Sequence, residues 1–176
     1  MSRSILLVED NEDDVFFMQL ALKRLDSPHR LEVARDGREA KQRLQRFLVQ
    51  GPLQDPLGLV LLDLKLPYLG GIEVLAWMHA AGEGRFPPTV VLSTVENESE
   101  LAAAARFGAA AFMAKPNRPD QLACLLRSLE TRWLVGAPPA PRTEPRWVRP
   151  EPEPATGSCR RSGAAFAPEP GPSVAA

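Results

Sequence analysis

Short apolar runs and longer amphipathic stretches alternate along the first 135 residues. Ile5–Val8 is a four-residue apolar run bounded by polar residues, which predicts a strand buried on both faces. From Asn11 to Leu25 the apolar residues Val15, Met18, Leu22 and Leu25 recur every three or four positions, the spacing of a helix with one buried stripe. Ser27-Pro28 ends it, and Leu31–Ala34 forms a second strand. Asp36 with Glu39 reads as an N-cap and its capping-box partner, opening a helix toward Val49 that Gly51-Pro52 closes. The pattern then repeats with strand Leu59–Leu62, helix Ile72–Ala80, strand Val90–Leu92 and helix Glu98–Phe107 stopped by Gly108. It ends with strand Ala110–Met113 and helix Asp120–Trp133. Five strands alternating with five helices predict an α/β fold, a parallel sheet covered on both faces with right-handed crossovers.

Composition changes this picture at one place. Residues 136–176 hold ten of the 18 prolines, together with Ala, Gly, Ser, four Glu and five Arg, while large apolar residues shrink to Trp147, Val148, Phe166 and Val174. A segment with so little to bury cannot offset its chain entropy, so 136–176 is expected to be a disordered tail behind a domain at 1–135. The domain carries 16 Lys/Arg against 18 Asp/Glu, and a net charge of −2 offers no basic surface for nucleic acid. Cys124 and Cys159 are not a disulfide framework and suit a reducing cytoplasm. The N-terminus runs from a short apolar stretch straight into acid, without a signal-peptide core, and no stretch reaches the roughly 18 apolar residues of a membrane span.

In an open parallel sheet, ligands bind outside the carboxyl ends of the strands. The first strand is followed there by Glu9 and Asp10, the third by Asp63, the fourth by Ser93 and Thr94, and the fifth by Lys115 and Pro116. Three converging carboxylates repel one another unless a cation lies among them or some are protonated. Hard oxygen ligands at a water-accessible site suit Mg²⁺. A carboxylate beside such a metal is a competent nucleophile for an acyl phosphate, and a lysine ammonium and a serine hydroxyl stabilise the transferred phosphoryl group.

The segments ILLVEDNEDD, LVLLDLKLP, VVLST and FMAKP, in this order, resemble the four blocks of response-regulator receiver domains, a likeness that covers about residues 4–133. The separations of Asp63 from Ser93, 30 positions, and from Lys115, 52 positions, are similar to that family's layout. The resemblance implies a flavodoxin-like (βα)5 doubly wound sheet of strand order 2-1-3-4-5. It implies Asp63 as phosphoacceptor, Asp10 as a direct Mg²⁺ ligand, Glu9 as one acting partly through water, and the Lys65 carbonyl as a third protein ligand. Lys115 resembles the lysine that pairs with the phosphoryl group, Ser93 and Phe112 the switch pair, and Lys115-Pro116 a cis peptide. Lys65 and Val95 resemble positions that tune dephosphorylation. VEDNEDDVFFMQLALKR and LDLKLPYLGGIEVLAWM look like the single-domain subfamily associated with phytochrome-type sensor histidine kinases.

Other residues read as structural. Glu12, Asp13 and Asp14 are first-turn acids that complement the helix dipole, Thr94 is a helix cap, and His29, His79 and Trp77 are surface or packing residues. A haloacid-dehalogenase-type phosphatase wants a second Asp two positions after the first, where Lys65 stands, and a dinucleotide site wants G-x-G-x-x-G where Glu9-Asp10-Asn11 stands. The remaining alternative is a receiver-like binding module that acts without phosphorylation, against which the full set of acids, Ser93 and Lys115 argues. The expectation is therefore a cytoplasmic, bacterial, stand-alone two-component response regulator and phosphorelay phosphoprotein. It is not an enzyme beyond self-catalysed phosphotransfer and autodephosphorylation. No second folded domain, direct DNA binding or membrane contact is expected. Its partners would be a sensor histidine kinase, an unnamed downstream protein and, through the face of the fourth helix, fifth strand and fifth helix, a second copy.

Overall fold

The computed structural model describes residues 2–52, 56–82, 84–94, 97–116, 118–134 and 146–148. The apolar runs become the strands β1 (Ser4–Val8), β2 (Arg30–Ala34), β3 (Leu57–Asp63), β4 (Thr89–Ser93) and β5 (Ala111–Ala114). The helices are α1 (Glu12–Arg24), α2 (Gly37–Gln50), α3 (Gly71–Ala81), α4 (Glu98–Arg106) and α5 (Pro119–Leu129). All strand pairs are parallel, and the order β2-β1-β3-β4-β5 is the expected doubly wound one.

Alternation along the strands divides the core into two layers. Ile5, Leu7, Leu59, Leu61, Val90, Leu92 and Met113 pack under Val15, Met18 and Leu22 of α1 and Leu122, Leu126 and Leu129 of α5. Leu6, Val8, Val60, Leu62, Val91 and Phe112 face Leu44 and Phe47 of α2, Val74 and Leu75 of α3, and Ala104 of α4. Because β1, β3 and β4 are covered on both sides, every residue in them is buried, which is why they read as unbroken apolar runs. The edge strand β2 is half-exposed and carries Arg30 and Glu32.

The helix starts follow cap chemistry. Asn11 accepts from the N–H groups of Asp13 and Asp14, and Asp36 from those of Arg38 and Glu39. The cap of α4 is Asn97, not Thr94, which is exposed: the chain runs on past β4 before the helix turns, so the hydroxyl lies too early to reach the first free N–H groups. At α3, Gly71 lets the helix start against the end of β3. A Cβ there would meet the Asp63 carbonyl oxygen and lie 2.8 Å from Leu64 Cα, and the Gly71 N–H donates to the Leu64 oxygen at 3.0 Å.

Three features depart from expectation. The last turn of the α5 segment, Glu130–Leu134, is a wider π turn. It brings Leu134 into line with Leu129, five residues back, so that both are buried, and Leu134 seats on Gly58, where an added Cβ would lie 2.8 Å from Leu134 Cδ2. A sixth strand, β6 (Arg146–Val148), lies parallel to β5 within the segment expected to be disordered. Trp147 and Val148 are the β-favouring pair in that Pro-rich stretch, and β5 supplies an open edge to pair with. The rest of the tail, and Val95, lie outside the described residues. Finally, no peptide bond is cis among the described residues, so Lys115–Pro116 is trans, the lower-energy X-Pro form by about 0.5–1 kcal/mol. Among the described residues no helix is long and apolar enough to cross a membrane.

Candidate functional site

The carboxyl ends of β1, β3 and β5 bring three charged side chains together in the interior. Glu9 continues β1, its N–H bonded to the Ala34 oxygen of β2 at 2.9 Å, and its side chain is 2% exposed. Asp63 is the last residue of β3 and is 9% exposed. Lys115 follows β5 and is fixed at its backbone by donation to the Ser93 oxygen at 2.9 Å. The ammonium of Lys115 lies between the acids, 2.5 Å from Glu9 Oε2 and 2.9 Å from Asp63 Oδ2. The other oxygen of each acid is held locally: Glu9 Oε1 accepts the Asn11 N–H at 3.2 Å, and Asp63 Oδ1 accepts the Lys65 N–H at 2.9 Å.

A third acid completes the cluster. Asp14 Oδ2, from the first turn of α1, is 2.7 Å from Lys115 Nζ. The ammonium has three N–H donors, and there is one carboxylate for each. Sequence reasoning missed this residue by reading it as a first-turn acid that only complements the helix dipole. The signal was present: Asp14 precedes the buried Met18 by four and Ala21 by seven, so it lies on the buried stripe of α1, unlike the exposed Asp13.

The electrostatics follow from the stoichiometry. Burial disfavours the charge on Lys115, but hydrogen bonds to Asp14, Glu9 and Asp63 outweigh it and hold its pKa above the usual lysine range. Burial raises the Glu9 pKa, Lys115 offsets part of this, and the neighbouring Asp63 charge adds to the rise. Both partners of one ion pair shift upward because burial dominates at Glu9, whereas at Lys115 three carboxylates together outweigh burial. Counting Glu9, Asp10, Asp14 and Asp63 against Lys115, four charges minus one leaves a surplus of −3.

The remaining expected residues are placed as follows. Asp10 is exposed beside Glu9. Lys65 is exposed, and its backbone N–H meets Asp63 Oδ1. Ser93 is buried at the end of β4, paired in register with Ala114 just before Lys115. Phe112 is buried in the layer beneath α3 and α4, on the face away from α1 and α5.

The donor set suits a hard divalent cation of the Mg²⁺ kind. Among the described residues no three His, Cys, Asp or Glu side chains form a ready cage. Mg²⁺ needs none, since it binds through one or two carboxylates and keeps several waters. An exposed Asp10 next to two buried acids that share one ammonium, with a negative surplus, fits that mode.

Comparisons with known proteins identify the family and the fold. The family model for the response regulator receiver domain matches residues 5–127. Response regulator Rcp1 of Synechocystis is 34% identical over 132 residues, which is 74% of this chain and 88% of Rcp1. The crystal structure of the phosphorylated cyanobacterial phytochrome response regulator RcpA superposes with a TM-score of 0.65 at 30% identity, covering 80% of this chain and 100% of that one. The Mn²⁺-bound form of Rcp1 gives a TM-score of 0.62 at 32% identity, covering 78% and 99%.

Proposed function

The chain belongs to the response-regulator receiver family, and from that premise we propose that it is a stand-alone response regulator in which Asp63 accepts a phosphoryl group from a sensor histidine kinase. One observation carries the reading: Lys115 Nζ bridges Asp63 Oδ2 and Glu9 Oε2 at the carboxyl ends of three strands. The similarity to a phosphorylated RcpA and to an Mn²⁺-bound Rcp1 points the same way. A phytochrome-type kinase is the proposed donor, since RcpA, matched over 100% of its length, is described as a phytochrome response regulator.

An Asp63 oxygen attacks the phosphorus of a phosphohistidine, a P–O bond forms, the P–N bond breaks, and its electron pair stays with the imidazole. Lys115 and Ser93 donate to the phosphoryl oxygens, and the Lys65 N–H holds the other carboxylate oxygen in place. Glu9, Asp10, Asp63 and the Lys65 carbonyl would hold Mg²⁺, which supplies charge neutralisation for the incoming phosphoryl group. The new charge draws Ser93, β4 and α4 shift, and Phe112 repacks. The surface of α4, β5 and α5, beside which β6 lies, then changes its affinity for a downstream protein or a second copy. The protein acts in the cytoplasm as a signalling protein, not as an enzyme on other substrates, with residues 1–135 as the receiver and 136–176 as a tail.

Incubation with acetyl phosphate and Mg²⁺, followed by intact mass measurement, tests this. One added phosphoryl group is expected in the wild type, and none with Asp63→Asn or with the metal chelated. Labelling of Asp63→Asn at the wild-type level overturns the assignment. A wild type that takes no label leaves docking without phosphorylation as the function.

A further inference from the structure

We infer that Asp14 is a positioning residue for Lys115, holding its ammonium from the α1 side so that one N–H stays aimed at the group transferred to Asp63. The inference rests on the phosphoacceptor reading above and adds a residue to it.

The geometry is a tripod. The Lys115 ammonium donates to Glu9 on β1, Asp63 on β3 and Asp14 on α1, at 2.5, 2.9 and 2.7 Å. When Asp63 is esterified, the oxygen facing Lys115 loses its charge, and the donor aimed at it is released to a phosphoryl oxygen. Glu9 and Asp14 retain the other two. Two anchors on different elements fix the ammonium in position and rotation. With Glu9 alone, the ammonium turns about one bond and its freed donor goes to water. Preorganised donors of this kind lower a barrier because nothing must be reoriented during the transfer.

A contrary effect exists. Asp14 adds negative charge near an anionic phosphodonor, so removing it eases approach. Its side chain is 36% exposed, so solvent screens that repulsion to about a twofold effect on rate. Loss of a charge-assisted hydrogen bond that orients a transition-state donor is the larger effect, about tenfold. Positioning therefore outweighs repulsion.

A purely structural role is the competing explanation, because an acid in a first helical turn also favours the helix dipole. Asp13 separates the two. It occupies the same turn and carries the same charge, but it is exposed and makes no ion pair with Lys115.

The test uses the full-length chain, with acetyl phosphate as donor at saturating Mg²⁺ and the rate of phosphoryl incorporation followed by intact mass. Asp14→Asn should slow incorporation about tenfold, Asp14→Glu should recover most of the rate, and Asp13→Asn should leave it unchanged. A second readout concerns the unphosphorylated protein: the Lys115 NH3⁺ resonance, slowed in exchange by three acceptors, should be visible in wild type and Asp13→Asn and broadened in Asp14→Asn. Equal rates for wild type and Asp14→Asn, an equal loss in Asp13→Asn, or no recovery in Asp14→Glu would overturn the inference. If even the wild type takes no phosphoryl group, the phosphoacceptor reading has failed, and the lysine resonance alone decides whether Asp14 anchors Lys115.

Discussion

The two ends of the sheet solve the same problem, a charge beside apolar strands, in opposite ways. Toward the amino ends, beside a depression that Ser4, Arg30 and Pro56 also line, Arg43 of α2 grips Glu32 in the middle of β2 with two N–H groups, Nε to Oε2 at 2.5 Å and Nη2 to Oε1 at 3.3 Å. That fork joins a cation to an anion through two N–H donors. Arg30 and Arg46, which line the same shallow depression, are exposed and solvated. At the carboxyl ends, one ammonium faces three carboxylates, and Glu9 and Asp63 among them are buried. Ion pairing alone therefore does not distinguish a working site from a structural one. A buried surplus of acid over base does, because its mutual repulsion favours uptake of a cation or a proton there.

Variants at the two ends should separate sharply. The largest effect expected is on labelling by acetyl phosphate: Lys115→Met should lower the rate at least about a hundredfold, the size seen when a preorganised donor to a transition state is lost. Arg43→Met should leave that rate unchanged, as read by the same mass assay. Next is Gly71→Ala, whose methyl is forced against the Asp63 carbonyl and Leu64 Cα. It should cost about 2–3 kcal/mol in urea denaturation, in the upper part of the overpacking range, because backbone cannot yield as a side chain does.

Metal affinity should show the surplus directly. The Glu9 pKa is raised above 4.5 by burial, so a proton competes with Mg²⁺ at a higher pH than at an ordinary glutamate. Calorimetry should find Mg²⁺ affinity level near neutrality and falling as pH drops through that raised value, by up to about tenfold per unit, with proton release on binding. Affinity that does not respond to pH down to 4.5 would remove Glu9 from the metal site. The smallest effect is expected at the other end: Arg43→Met should lower stability by about 1–2 kcal/mol, since the pair is mostly shielded but Glu32 keeps 26% side-chain exposure through which water can replace the lost donors.

Much of this was legible in the sequence, and the misses have physical causes. The strands were visible because β1, β3 and β4 are buried on both faces, so their ends fall where apolar residues stop, at Glu9, Asp63 and Ser93. Parallel topology turned those stops into one edge and so brought Glu9, Asp63 and Lys115 together. Asp14 was hidden because a first-turn acid has a sufficient local explanation, and its contact with Lys115 spans 101 positions of sequence. The π turn at Glu130–Leu134 depends on Gly58 of β3, and β6 depends on the free edge of β5, neither of which a local pattern contains. Thr94 lost the cap of α4 to Asn97 through a loop length that periodicity does not encode.

The central claim is that the surplus at the carboxyl ends serves one nucleophile, Asp63. Its most direct test is chemical. After treatment with acetyl phosphate and Mg²⁺, borohydride reduces an acyl phosphate to the corresponding alcohol, and peptide mass spectrometry locates the reduced residue. Reduction at Asp63 alone is predicted, and reduction at Glu9, Asp10 or Asp14 instead would contradict it.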